Sequence, residues 1–222
     1  AAPVSPAARR SGGRDGRRAM RAAPQISFPT LVRNIPTYEI LPTEAVELIH
    51  DESMKILEEV GCEFRDPLAP AQWKAAGADV QGTRVRIDRK LLMQLISTVP
   101  PEFTLHARNP ERTVKVGGKN QIFIPVYGAP YVRDLDGNRR YGSLEDLNNF
   151  HRLAQMSPSL HSMSSICCEP MEIAVPKRHL HIIHSALTMG DKPFMGIVTA
   201  KDRAEDVMKM AGIVFGDSFV KD

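Results

Sequence analysis

The sequence predicts an α/β protein that contains the first part of a (β/α)8 TIM barrel, preceded by an α+β extension. Apolar runs at 121–127, 161–168 and 194–199 are each followed by a segment with helical periodicity. Three consecutive β-then-α units are typical of a parallel sheet with crossover helices. Residues 34–120 show shorter elements without this alternation. We therefore expect the extension over 34–120 and about the first three barrel units over 121–222.

Helix signals follow each of the three apolar runs. Ser143 and Asp146 fit the capping-box pattern that opens a helix. Pro176 suits the first turn of the second helix, which Gly190 ends, and Asp202 can cap the third. A complete barrel has eight such units in about 250 residues, and three units leave a sheet edge open. We therefore expect the sequence to be the N-terminal portion of a longer protein.

The predicted extension begins with a helix that Thr43 can cap and Gly61 ends. A short helix surrounds Trp73, and another follows the capping residue Asp88. One stripe of the first helix recurs at spacings of three and four; it comprises Val46, Ile49, Ser53, Ile56, Leu57 and Val60. Short strands are predicted at 62–64, 85–87, 103–106 and 113–116.

Composition places the 222-residue chain among ordinary globular proteins, with 42% hydrophobic and 25% charged residues. No apolar run approaches the ~18 residues that a membrane helix needs. Residues 1–23 lack the apolar core of a secretory signal. The three cysteines, two of them adjacent, do not make a disulfide framework. We expect a cytoplasmic protein without a membrane partner.

Positive charge is concentrated in residues 1–33, which hold seven arginines and one acidic residue, although the net charge of the chain is only +3. We expect a disordered Arg-rich tail and an extended arm there. A nucleic-acid-binding arm, a transit peptide and an electrostatic tether are alternatives. Because residues 1–24 contain no aromatic side chain for base stacking, we favour a solvated tail over nucleic-acid binding.

Three segments of the chain together resemble one protein family. They read PTEAVELIHDESMKILEEVGCEF (42–64), YGAPYVRDLDGNRRYGSLEDLNNFHRLA (127–154) and CEPMEIAVPKRHL (168–180). The combination is similar to the trimethylamine methyltransferase family, corrinoid-dependent methyltransferases of the (β/α)8-barrel type. The resemblance covers essentially the whole chain.

The resemblance implies methyl transfer from a methylated or quaternary amine to the cob(I)alamin of a separate corrinoid protein. The cobalamin would be carried by that partner and not bound directly by this chain. Family members that act on trimethylamine use pyrrolysine in their C-terminal half, whereas relatives without it are associated with betaine-type substrates. We expect a substrate of the glycine betaine type, with trimethylamine as the other candidate.

A different class of function is also compatible with the sequence. A truncated, non-catalytic half-barrel could act as an assembly or binding module. Its open sheet edge would favour self-association, and we expect a homo-oligomer in either case.

Candidate substrate-binding residues lie near the predicted strand ends, where α/β folds bind ligands. A quaternary ammonium group cannot donate a hydrogen bond, so aromatic faces are its natural recognition device. Tyr127, Tyr131 and Phe194 are the aromatic candidates, and packing in the core or in loops is the alternative for each. No catalytic residue can be assigned from the sequence.

Two further candidates adjoin the same strand ends. Glu169 could attract the ammonium group, or it could cap the next helix or pair with Arg178. Gly128 would let the substrate or the corrin ring approach the backbone, although turn geometry explains this glycine as well. Arg139 and Arg140 follow a predicted Asp-Gly turn, where they could meet an acidic corrinoid protein or a cofactor phosphate, or be solvated.

Metal and thiol chemistry are disfavoured. His179, His181 and His184 share one predicted helix, but His179 points away from His181, and a zinc site usually needs a further Cys or carboxylate ligand. Cys167 and Cys168 are consecutive on a predicted strand and therefore face opposite sides. We expect no metal site, and we interpret the two cysteines as small core residues.

Overall fold

The computed structural model of the protein describes residues 30–221. These residues form two compact units. The N-terminal unit comprises residues 32–104 and 115–121, and the C-terminal unit comprises 30–31, 105–114 and 122–221. The predicted disordered part of the tail, residues 1–24, lies outside the described residues.

The N-terminal unit is α+β. Helix α1 (Thr43–Lys55) continues into a π-helical turn at Ile56–Val60. Gly61 ends it with a φ of +72°, and a Cβ at this position would lie 2.3 Å from the Val85 carbonyl oxygen. Only glycine fits both the conformation and the space. The remaining helices of this unit are α2 (Leu68–Ala76) and α3 (Arg89–Ile96).

Two small sheets accompany these helices. The first has the order β2–β4–β3 and is antiparallel, with strands at Cys62–Glu63, Asp79–Gln81 and Arg84–Arg86 for β2, β3 and β4. The second has the order β1–β7–β6–β5, formed by Leu31–Val32 (β1), Glu102–Leu105 (β5), Val114–Gly117 (β6) and Asn120–Gln121 (β7). Strands β4, β5 and β6 thus correspond to the strands predicted at 85–87, 103–106 and 113–116.

Two predictions for α1 are wrong in detail. Thr43 does not cap the helix: it is the first helical residue, and the N-cap is Pro42, which makes no side-chain cap. Most of the predicted apolar stripe is also exposed, since Val46, Ile49 and Val60 are each more than half accessible. Helical periodicity identifies an apolar face, but burial of that face requires a packing partner.

The C-terminal unit contains a β-hairpin and, within the described residues, four α-helices. The hairpin pairs β8 (Tyr131–Arg133) with β9 (Arg139–Tyr141) in an antiparallel arrangement. The helices are α4 (Leu144–Met156), α5 (Val175–Met189), α6 (Lys201–Phe215) and the short α7 (Asp217–Lys221). The capping box of Ser143 and Asp146 is present as predicted. Asp202 is not a cap, because α6 begins one residue earlier with Ala200 at the N-cap.

The three predicted parallel strands are extended segments that do not form a regular ladder. Isolated backbone hydrogen bonds nevertheless join neighbouring segments: His161 N–H donates to the Phe123 oxygen at 2.8 Å, and Met163 N–H donates to the Pro193 oxygen at 2.7 Å. Pro125 in the first segment cannot donate, and Ser164 in the second has a φ of +59°, which interrupts extended backbone. Strand prediction was therefore wrong for these segments.

The hydrogen bonds do preserve the expected order and direction. They place 121–129 beside 161–169, and 161–164 beside 193–195, with residue numbers increasing together. Each segment is followed by one of the helices α4, α5 and α6. The result is a mixed α/β unit, and no closed barrel is formed by the part of the chain that the structure describes.

The core of the C-terminal unit lies between these segments and the helices. Leu147 on α4, Ile183 on α5 and Val207 on α6 are buried together with residues of the extended segments. The remaining members of this cluster are Val132, Ile166, Cys167, Cys168, Ile182, Leu187 and Ile197. Burial of several aliphatic side chains at about 1.5–3 kcal/mol each supplies the main stabilisation.

Charged side chains close the ends of two helices in this unit. Lys192 Nζ donates to three carbonyl oxygens at and beyond the end of α4, at 2.7–2.8 Å. Arg108 donates to the Leu187 and Gly190 oxygens at the end of α5, at 3.0 and 2.9 Å. Both cations satisfy carbonyl groups that helix ends leave without partners. No helix within residues 30–221 is long and apolar enough to cross a membrane.

Candidate functional site

The ends of the first two extended segments are fastened side by side. Gly128 N–H donates to the Ile166 oxygen, and Glu169 N–H donates to the Ala129 oxygen, both at 2.8 Å. These two bonds align Tyr127 to Ala129 with the end of the second segment. Tyr127, Gly128 and Glu169, predicted from sequence to share one edge, therefore lie in one neighbourhood.

The β8–β9 hairpin is fastened to the same place. Gly142 N–H donates to the Pro130 oxygen at 3.1 Å, and Met171 N–H donates to the Gly142 oxygen at 2.9 Å. A Cβ at Gly142 would lie 2.8 Å from the Glu169 oxygen, so the hairpin base packs directly on the backbone that follows the second segment. The hairpin borders the candidate site.

Gly128 offers open backbone at this edge. Its φ is +79°, and a Cβ built there would meet no atom within 4 Å. The left-handed conformation favours glycine, and the open space leaves room for a ligand to approach the main chain. The preceding Tyr127 side chain is 50% exposed, so an accessible aromatic ring adjoins the bare backbone.

Glu169 is paired with Arg178. The Arg178 Nη1 to Glu169 Oε2 distance is 3.4 Å, and both side chains are largely shielded from solvent. Arg178 also donates to the Ile173 oxygen from Nε and Nη2, at 3.1 and 3.0 Å. The pairing anticipated as an alternative for Glu169 is therefore observed, and the Arg178 charge offsets that of the carboxylate.

Tyr131 is held in an aromatic stack. Its ring lies 4.8 Å from that of Tyr141, with 20° between the planes. The Arg139 guanidinium carbon lies 3.7 Å from the centre of the Tyr131 ring. This is the position that a ligand cation would take above the ring, so Arg139 occupies it in the structure.

Phe194 is placed by contacts with the core. Its ring stacks on Phe215 at 6.5 Å with 15° between the planes, and it packs against the buried cluster. The bonds of Met163 and Ser164 to the third segment align Phe194 with the beginning of the second segment. Glu169 follows the other end of that segment. A substrate contact by Phe194 stays a prediction.

Sequence reasoning missed a buried polar group of side chains on and beside the second segment. His161 Nδ1 accepts from the Phe123 N–H at 3.0 Å. Ser164 and Ser165 are fully buried, and within residues 30–221 their hydroxyl groups make no hydrogen bond. A run of serines was the available signal, but strand alternation alone would have placed half of them in solvent.

His151 belongs to the same polar interior. Its side chain is fully buried on α4, and its Nδ1 lies 2.7 Å from Ser185 Oγ, which in turn donates to Asn148 Oδ1 at 2.6 Å. Burial lowers the pKa of His151 to about 4. The imidazole is neutral at physiological pH.

The remaining titratable candidates have structural surroundings. His179 Nε2 lies 3.1 Å from Asp206 Oδ2, which links α5 to α6. Within the described residues, no three side chains of the metal-binding types lie close enough to hold an ion. Burial raises the pKa of Cys167 to about 11 and that of Cys168 to about 12. Both cysteines are thiols at neutral pH.

Fold and site together define a class of protein. Parallel extended segments alternate with helices, and an aromatic ring, an open glycine and a paired carboxylate meet where two segments end. The arrangement is of the α/β type, in which the carboxyl ends of parallel strands are the usual place for a ligand.

The sequence profile of the family described as Trimethylamine methyltransferase (MTTB) matches residues 10–222. The chain therefore belongs to the trimethylamine methyltransferase family, as its resemblance predicted.

Curated relatives of this family are similar over most of the chain. It is 43% identical to the glycine betaine methyltransferase of Desulfitobacterium hafniense (strain Y51) over 182 residues. The aligned region covers 82% of this chain and 38% of that protein. It is 30% identical over 173 residues to the L-carnitine:corrinoid methyltransferase of Eubacterium limosum, an alignment that covers 77% of this chain and 35% of that protein. The proline betaine:corrinoid methyltransferase of Eubacterium limosum is 27% identical to this chain over 179 residues, an alignment that covers 76% of this chain and 37% of that protein. The chain spans somewhat more than a third of the length of these proteins.

Proposed function

We propose that the protein containing this chain transfers a methyl group from a quaternary amine of the glycine betaine type to the cob(I)alamin of a corrinoid protein. The observation that carries the proposal is the 43% identity to a glycine betaine methyltransferase over 182 residues. The more distant relatives act on other zwitterionic quaternary amines by name, carnitine and proline betaine. Their shared chemistry favours a quaternary amine over trimethylamine.

The proposed reaction requires little acid–base catalysis from this chain. Cob(I)alamin on the partner would supply the nucleophile that accepts the methyl group; the carbon–nitrogen bond would break, and nitrogen would keep the electron pair and leave as a neutral tertiary amine. No proton is transferred. The protein must hold the methyl group in line and exclude water from the cation. This requirement fits a site that offers an aromatic ring, exposed backbone and a carboxylate paired with an arginine.

Residues of this chain have distinct roles in the proposed site. Tyr127 presents an accessible ring to the ammonium group, at about 0.5–2 kcal/mol for such a contact. The open backbone at Gly128 admits the substrate or the corrin ring, and Glu169 attracts the cation while Arg178 fixes its carboxylate. Arg139 lies over the Tyr131 ring, so a substrate contact by Tyr131 stays a prediction.

The proposal includes the remainder of the fold. Three extended segments that alternate with helices, joined by hydrogen bonds in the parallel sense, have the order of the first three units of a (β/α)8 barrel. Exposed apolar side chains along the first segment, including Phe123, Ile124 and Val126, favour further association, within the protein or as a homo-oligomer. Free cysteines and an easily oxidised corrinoid suit the cytoplasm.

An anaerobic methyl-transfer assay tests the proposed function. The protein is incubated with cob(I)alamin and either glycine betaine or trimethylamine, and methylcobalamin is followed by its absorbance. We expect methylation with glycine betaine, accompanied by an equal amount of dimethylglycine. Methylation with trimethylamine alone would contradict the substrate assignment. No methylation with either amine, by a protein that is folded by circular dichroism, would favour the non-catalytic module.

A further inference from the structure

One face of the β8–β9 hairpin has a composition that the fold does not require. Register pairs Tyr131 with Tyr141, Val132 with Arg140, and Arg133 with Arg139. Because side chains alternate along a strand, Val132 and Arg140 share one face. The opposite face, here called the Tyr/Arg face, consists of Tyr131, Arg133, Arg139 and Tyr141.

The Val132 side of the hairpin is committed to the protein interior. Val132 is buried in the core cluster. Arg140 forms a two-pronged ion pair with Asp146 on α4, with Nη2 and Oδ1 2.8 Å apart. These contacts fix the hairpin on the unit and turn the Tyr/Arg face to solvent, where all four of its side chains are exposed.

The Tyr/Arg face carries uncompensated positive charge. Arg133 and Arg139 are directly opposite each other, and like charges in this relation destabilise a strand pair. Among the residues that the structure describes, neither guanidinium has a carboxylate within ion-pair distance. The nearby Asp134 carboxylate is bonded to Asn138 within the turn, at 2.8 and 3.1 Å.

The two cations are held in different directions. Arg133 Nη1 donates to the Gly137 oxygen at the turn, at 3.2 Å. Arg139 instead lies over Tyr131, toward the hairpin base. A single carboxylate or phosphate engages one guanidinium fork, so this divergent pair suits an extended acidic surface. Tyrosine and arginine are also the residues enriched at the energetic centres of protein interfaces.

We propose that the Tyr/Arg face is the surface on which the corrinoid-carrying protein docks, through carboxylates that engage Arg133 and Arg139. This inference rests on the proposed methyl transfer. The hairpin base packs on the backbone at Glu169, so a protein seated on this face stands beside the segment ends where the methyl group is offered. The stacked tyrosines give it a rigid surface at low entropic cost.

The test compares two methyl acceptors. The proposed docking surface is reversed in the double variant Arg133→Glu, Arg139→Glu, and neutralised in Arg133→Gln, Arg139→Gln. Arg152→Glu is the control, because Arg152 is exposed on α4 and donates to Asn149 one turn away on the same helix. The acceptors are the corrinoid protein from the same source, reduced to cob(I)alamin, and free cob(I)alamin. Unfolding midpoints of all variants verify the fold.

We expect the charge reversal to raise the KM for the corrinoid protein about tenfold or more at low salt, and the neutral variant to raise it less. The control and the rate with free cob(I)alamin stay unchanged. The wild-type KM rises with ionic strength more steeply than that of the double variants.

An unchanged KM for the corrinoid protein in both double variants overturns the docking surface. Equal losses with the corrinoid protein and with free cob(I)alamin also overturn it, since they place the hairpin in the substrate site. Titration calorimetry with the same corrinoid protein, without a methyl donor, answers the docking question even if the wild type transfers no methyl group. Wild-type protein that binds its partner but methylates neither acceptor contradicts only the proposed function.

Discussion

The backbone N–H of Glu169 donates a 2.8 Å hydrogen bond to the carbonyl oxygen of Ala129. This bond ties the end of the second extended segment to the glycine-containing turn that ends the first. It is made by the main chain alone, whereas the Glu169 side chain is occupied by Arg178. The positional and electrostatic roles of Glu169 can therefore be separated by a substitution that changes only the carboxylate.

Glu169→Gln is expected to raise the KM for glycine betaine roughly three- to tenfold, because a nearby carboxylate attracts the ammonium group. Stability changes little, since the backbone bond remains and Arg178 keeps its two bonds to the Ile173 oxygen. Steady-state kinetics and thermal unfolding measure the two effects. Glu145→Gln, an exposed change on α4, is the control. A KM equal to that of the control would leave Glu169 with a structural role only.

Tyr127→Ala is expected to raise the same KM by about two- to thirtyfold, the range that corresponds to a contact of 0.5–2 kcal/mol between an aromatic face and a cation. Tyr127→Phe keeps the aromatic face and is expected to retain near-normal KM. Because Tyr127 is half exposed, neither change unfolds the protein, and equal midpoints in urea verify this. Loss of affinity in the Phe variant would assign the effect to the hydroxyl group and contradict cation recognition by the ring.

Local signals in the sequence were the most reliable guide to the fold. The capping box of Ser143 and Asp146 and the Asp88 cap are both present, because each depends on residues within one helical turn. The three extended segments were predicted in the right places and order, but as regular strands, which they do not form. The positive φ of Ser164 is an irregularity that a run of apolar residues does not reveal.

The candidate site was predictable to a similar extent. Adjacency of Tyr127, Gly128 and Glu169 follows from the rule that parallel segments end at one edge. The position of Arg139 above Tyr131 could not be predicted, because it depends on which rotamer a long side chain adopts on a hairpin face. The sequence raised the Glu169–Arg178 pair as one of three alternatives, and the structure contains this pair.

Lys192→Met is expected to lower the free energy of unfolding by about 2–4 kcal/mol. The substitution removes a charged donor from three carbonyl oxygens, those of Ala154, Ser157 and Leu160, and leaves partly buried acceptors without partners. Lys177→Met, on the exposed side of α5, is the control and is expected to change stability by no more than about 0.5 kcal/mol. Urea denaturation measures both. Coincident unfolding transitions of the wild type and Lys192→Met would show that water replaces the hydrogen bonds of Lys192 without loss of stability.

Acidification is expected to destabilise the protein through His151. Its folded-state pKa is about 4 because of burial, whereas the unfolded value is about 6.5. The unfolded state therefore binds more protons between these values, and stability is lost as pH falls from 6.5 toward 4. The contribution reaches about 2 kcal/mol between pH 6.5 and 5. Unfolding across this range is compared with that of His151→Gln, which lacks the titrating group. If the stability of the wild type and that of His151→Gln change with pH in parallel, burial does not lower the pKa of His151.

Thiol labelling is expected to distinguish one cysteine from the other two. Cys62 is exposed, whereas Cys167 and Cys168 are buried. Burial raises the pKa values of Cys167 and Cys168 to about 11 and 12, so neither forms the thiolate that attacks a disulfide reagent. At pH 8 the native protein is expected to release one equivalent of thionitrobenzoate from Ellman's reagent, and the denatured protein three. Cys62→Ser reduces the native value to zero. Rapid labelling of three thiols in the native protein, or a Cys167–Cys168 disulfide under mild oxidant, would instead support redox chemistry at the adjacent pair.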